Sequence, residues 1–99
     1  MRIHIYQTDD PKLIFQSYYE ATNGGTPFLR REKYRCVFSG EIDAFHLVQV
    51  FQALNLGEKP EGYVGRSLSV SDVIEVDEPG ILNGYWYVDN IGFKKIVWG

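Results

Sequence analysis

One cysteine, one methionine and two histidines occur in 99 residues, and each scarcity removes a class of chemistry. A lone Cys36 excludes an intrachain disulfide and a cysteine-based zinc cluster, and it fits a reducing compartment. No apolar run approaches the roughly 18 residues that span a membrane, and no signal-peptide core follows Met1. The expected setting is therefore the cytoplasm, without membrane contact. Neither charge sign dominates: ten Lys and Arg stand against thirteen Asp and Glu, a net charge of −3. That balance argues against a nucleic-acid binder. It is also too small for DNA mimicry, which needs carboxylates at the phosphate spacing of about 3.4 Å per strand. Aromatic residues, by contrast, are plentiful. Seven Tyr, six Phe and two Trp in a chain that is 44% hydrophobic indicate a packed core. At this length there is material for one core, so residues 1–99 are expected to form one domain.

Arg2–Gln7 alternates apolar and polar residues at period two, the pattern of a strand with one buried face. Thr8, Asp9 or Asp10 can cap a helix, Pro11 suits its first turn, and Asn23-Gly24-Gly25 can end it, which predicts a helix over 11–22. Residues 23–33 read as a loop, and Tyr34–Phe38 as a strand with Tyr34, Cys36 and Phe38 on one face. Asp43 can cap a second helix with a wide stripe of Ala44, Phe45, Leu47, Val48, Val50, Phe51 and Leu54, stopped by Gly57. From Arg66 onward the chain reads as strands. Val73–Val76 and Tyr85–Val88 flank a turn-rich loop, and Phe93–Trp98 closes the chain. The expected fold is α+β, β-α-β-α-β-β-β, with an antiparallel C-terminal meander and two helices on one face. Ile96-Val97-Trp98, if an open edge, could pair with a second copy in a homodimer.

No catalytic constellation is apparent. A metal site needs three or four converging ligands, and neither His4 nor His46 has a second His or Cys at ligand spacing. No metal and no cofactor are therefore expected. Cys36, between apolar neighbours in a strand, reads as a small buried hydrophobe. Arg30, Arg31, Lys33 and Arg35 put four positive charges in six positions, the pattern of a solvated rim. Gly57, Gly62 and Gly65 are not followed by the Lys-Ser/Thr pair of a phosphate loop. Glu75 and Asp77 are accounted for by a strand face and its following turn as well as by a glycosidase pair.

The densest stretch is Gly65-Arg66-Ser67-Leu68-Ser69-Val70-Ser71-Asp72-Val73-Ile74. Leu68, Val70, Ile74 and Val76 share one parity, and Asp72 interrupts them, so its carboxylate must find donors. One reading is a structural Asx or Ser turn. The other is a polar surface of Ser67, Ser69 and Ser71 lined by Tyr85, Tyr87 and Phe93.

With His4–Gln7 before this stretch, and Tyr87-Val88-Asp89 and Ile91–Lys94 after it, the chain resembles the YodL-like domains of Gram-positive bacteria, their plasmids, phages and conjugative elements. Their pattern is similar to G-[HR]-S-L-S-V-S-D-V-[IV], a hairpin, then Y-Y-V-D-x-x-G-F. The loop Asp77–Gly84 departs from the pattern in length, and Trp86 stands where Tyr or His is frequent. The resemblance implies a domain found alone and within large polyvalent proteins, often near antirestriction modules, with no established activity or cofactor.

These readings lead to a non-enzymatic module that binds and modulates a host protein. Its candidate surface comprises Arg66, Ser67, Ser69, Ser71, Asp72, Tyr87, Asp89 and Phe93. The alternative from another class is a binder of a small ligand or nucleotide signal, with serine hydroxyls on a ribose and an aromatic ring on a base.

Overall fold

The apolar alternation in β1 (Arg2–Gln7) sends Ile3 and Ile5 to one side of a sheet and Tyr6 to the other. In the computed structural model, which describes residues 1–25 and 27–98, β1 is followed by α1 (Tyr18–Ala21), β2 (Phe28–Leu29) and β3 (Arg35–Glu41). Then come α2 (Leu47–Asn55), β4 (Val73–Val76), β5 (Gly84–Val88) and β6 (Phe93–Trp98). They form one mixed six-stranded sheet of order β2-β6-β5-β4-β1-β3. All neighbours are antiparallel except β2 and β6, which run parallel over two residue pairs. The α+β class and the antiparallel C-terminal meander are as expected, with β2 added from what reads as a loop.

The helices are shorter than expected, and each has a local cause. Asp10 starts a turn, its carboxylate accepting the Lys12 N–H at 2.9 Å and its carbonyl those of Leu13 and Ile14. Phe15 then adopts a φ of 65°, which a helix cannot continue through. Ser17 restarts the chain with a capping box to Glu20, leaving only the single turn of α1. Likewise Asp43 does not cap α2. The carboxamide oxygen of Gln49 accepts the N–H groups of Phe45 and His46, and the helix begins at Leu47. Leu47, Val50 and Leu54 are buried, whereas Phe45 and Val48 face solvent.

The two helices cover opposite faces of the sheet, a correction to the expected single helical face. α2 packs with Ile3, Ile5, Val37, Leu68, Ile74 and Val76. α1 contributes Tyr18 and Ala21 to a second cluster of Tyr6, Leu29, Val73, Tyr87 and Ile96. Tyr34, Tyr85 and Trp98 complete that cluster, with Tyr6 edge-on to Trp98 at 5.0 Å. Burying a large aliphatic or aromatic side chain stabilises by about 1.5–3 kcal/mol, so both faces contribute to the fold.

Three further expectations are corrected. Tyr34, Cys36 and Phe38 do not share a face: β1 pairs Ile5 with Phe38 but Tyr6 with Cys36, skipping Val37. This bulge turns both Val37 and Phe38 into the α2 core and leaves Cys36 exposed rather than buried. Residues 66–72 are not strand, because Ser71, at φ 88°, breaks the alternation before β4 begins at Val73. Finally, β6 is not an open edge at its end, since β2 pairs with Val97 and Trp98.

Candidate functional site

The loop leading into β4 folds by turning its polar groups inward. Gly65 passes so close to β1 and β3 that a Cβ there would overlap the Gln7 carboxamide oxygen and sit 2.9 Å from Val37 Cβ. Gln7, fully buried, accepts the Arg66 N–H at 3.1 Å and donates to the Arg66 carbonyl at 2.9 Å. It also donates to Asp72 Oδ2 at 3.0 Å. The same carboxylate oxygen accepts the Ser69 N–H at 2.8 Å, and the Arg66 guanidinium reaches Oδ1 at 3.4 Å. Burial pushes Asp72 up to about 6, while the Ser69 N–H, Gln7 and Arg66 favour the charged form and pull the other way.

The remaining residues of the stretch grip the strap that runs from Thr8 to Tyr18. Ser71 Oγ accepts the Phe15 N–H at 3.0 Å, and the Tyr34 hydroxyl donates to the Ser71 carbonyl at 2.9 Å. The Tyr87 hydroxyl donates to the Gln16 carbonyl at 2.7 Å, and Asp89 Oδ1 accepts the Tyr18 N–H at 3.0 Å. Arg66 donates to the Thr8 carbonyl at 3.0 Å and lies 5.8 Å from the centre of the Phe15 ring. Burial raises the Tyr34 and Tyr87 hydroxyls well above their ordinary range, so both act as donors at neutral pH.

Of the eight candidate residues, the structure brings Arg66, Ser71, Asp72, Tyr87 and Asp89 together around this strap. Phe93 packs instead against the α2 core. The three serine hydroxyls diverge. Ser67 is exposed and accepts from Lys59 at 3.1 Å, Ser71 is spent on Phe15, and Ser69 Oγ is buried without a partner among the described residues.

A second polar cluster lies on the face of β3, β1 and β4 opposite α2. Register sets His4 between Ser39 and Glu75. The imidazole Nδ1 is 2.7 Å from Ser39 Oγ, and Nε2 is 2.8 Å from Asp77 Oδ2. The Tyr6 hydroxyl donates to Glu75 at 2.7 Å. His4, Glu75 and Asp77 each offer one ligand atom, all within 4.8 Å of one another. Chemically the arrangement can share a proton along Ser39, His4 and Asp77, or present a nitrogen and two carboxylates to a cation. Sequence reasoning set His4 aside because it looked for a second His or Cys along the chain. The partners are carboxylates 71 and 73 positions away, and only a correct strand register exposes them.

The charged stretch near 30–35 is a solvated rim. Arg30 pairs with Glu32, Lys33 with Asp10, and Arg35 with Asp9. Arg35 holds the Asp9 carboxyl below its usual range. His46 is exposed beside an apolar groove of about 410 Å³ lined by Phe45, Val76, Ile81 and Leu82. Among the described residues, no helix is long and apolar enough to cross a membrane.

These features define a small α+β domain whose signature motif knots a loop to an N-terminal strap. The family model for the YodL-like domain matches residues 1–98, and the chain belongs to that family. No curated protein and no solved structure matches the chain.

Proposed function

We propose that the domain is a non-enzymatic binding module, carried by a mobile element or its bacterial host, that modulates a protein of that host. The observation that carries this reading is Phe15. A phenylalanine at φ 65° costs about 1–2 kcal/mol in backbone strain, yet this ring is 58% exposed. Its N–H is held by Ser71, itself at φ 88°, so two strained residues are locked to each other. Strain spent on holding an aromatic ring in water is the expected cost of presenting it to a partner. Tyr19 and Ile91, also exposed, are near neighbours in sequence of the Tyr18–Asp89 hydrogen bond that anchors the end of the strap. The partner is thus a protein with an apolar socket for an aromatic ring. The antirestriction setting that the family resemblance implies makes a host defence protein the first class to try.

Phe15→Gly tests this cleanly, because glycine tolerates a positive φ and the variant loses the ring without strain. Unfolding free energy is expected to stay within about 1 kcal/mol of wild type. Cross-linking in a Gram-positive host lysate should give a protein captured by the wild type and lost with the variant. Equal capture by both proteins would overturn the assignment.

A further inference from the structure

The cluster on the open face of β1, β3 and β4 has no part in that reading, and its chemistry is of another kind. We propose that His4, Glu75 and Asp77 form a binding site for a divalent transition-metal ion of the zinc class.

The donor set is one imidazole nitrogen and two carboxylates, with all three ligand atoms within 4.8 Å of one another. Imidazole selects zinc, nickel or cobalt over magnesium and calcium, and three protein ligands leave a coordination position open to water. Two ligands stand on paired strands, His4 being the register partner of Glu75, and Asp77, just after β4, is tied to β1 by donating its N–H to the Arg2 carbonyl at 2.9 Å. Their geometry is therefore fixed by the ladder before any ion arrives.

Two neighbours do what the outer shell of a metal site does. Ser39 Oγ lies 2.7 Å from His4 Nδ1, so it can accept an N–H there in the tautomer a metal at Nε2 requires, the Nε2 hydrogen that otherwise faces Asp77 having left. The Tyr6 hydroxyl, donating to Glu75 at 2.7 Å, fixes that carboxylate in the same manner. The competing interactions are modest. Nε2 lies 2.8 Å from Asp77 Oδ2, and Arg2 Nε lies 3.8 Å from the same oxygen. Metal–ligand distances near 2.0–2.2 Å require an ion to part the first pair by only about half an ångström. Two carboxylates this close also repel each other, and a dication relieves that repulsion.

Calorimetric titration of the untagged chain with zinc chloride is the test. One site per chain is expected, weakened at least thirtyfold by His4→Ala, Glu75→Gln or Asp77→Asn. His46→Ala should leave the affinity unchanged, since that histidine lies elsewhere. Ser39→Ala touches no ion and should weaken binding about tenfold, an effect that mere loss of a surface carboxylate does not give. In nitrogen-15 spectra the His4 Nε2 resonance should shift on zinc addition while that of His46 stays. Circular dichroism confirms that each variant is folded. Absence of binding at millimolar zinc would overturn the proposal, as would binding that survives in a folded His4→Ala, Asp77→Asn double variant.

Discussion

The two polar regions differ in what their side chains face. Around Asp72, a carboxylate, a carboxamide, a guanidinium and two tyrosine hydroxyls bond inward, to backbone or to one another. Around His4, the side chains bond only to other side chains, and apart from the buried Tyr6 they keep contact with the surface. The first arrangement positions chain segments and is spent in doing so. The second leaves lone pairs within reach of solvent. A run of serines and an aspartate in one decapeptide is conspicuous in sequence for the same reason that it is consumed in structure: a loop must satisfy its own backbone.

This contrast makes ranked predictions. Asp72→Ala strips the partner from the Gln7 carboxamide and the Ser69 N–H, and denaturant unfolding should show a loss of about 4 kcal/mol. A loss below 1 kcal/mol would erase the contrast. The pH dependence follows from the same residue. Its folded value, about 6, lies above the usual 3.8, so the protonated form favours folding. That contribution is complete below about pH 4 and is lost as pH rises through 6, roughly 3 kcal/mol in all. Denaturation curves between pH 4 and 7 should show this slope, and Asp72→Asn should flatten it. Gly65→Ala forces a methyl group into Gln7 and Val37 and should cost about 2 kcal/mol by the same measurement. At the other region, His4→Ala should cost under about 1 kcal/mol, because hydrogen bonds between side chains near the surface contribute little. A cost near that of Asp72→Ala would mean the open face is scaffold as well.

Alternation made β1 legible, and the turn formers at Pro79-Gly80, Asn83-Gly84 and Asp89–Gly92 bracketed β4, β5 and β6. The strap was misread because its helix-start residues are genuine: Asp10 does cap a turn, but Phe15 stops it through a tertiary bond to Ser71, 56 residues on. Cys36 was misplaced because a bulge obeys the partner strand and not the local pattern. The Asx-turn reading of Asp72 was accessible from burial logic alone, whereas its Gln7 partner was not. His4 and Asp77 could be joined only by pairing strands, and their separation of 73 positions gives no local signal.

The parallel pairing of β2 with β6 has a consequence for how the chain is made. A strand near residue 28 waits for one near residue 97, and the Pro27 carbonyl accepts the Val97 N–H across that gap. On the ribosome, the aromatic face stays open until residues 93–98 have emerged, long after β1 and β3 can meet. The hydrophobic surface of Tyr6, Leu29 and Tyr87 is then bare until β6 is made, the interval in which a chaperone or a wrong partner strand competes for it.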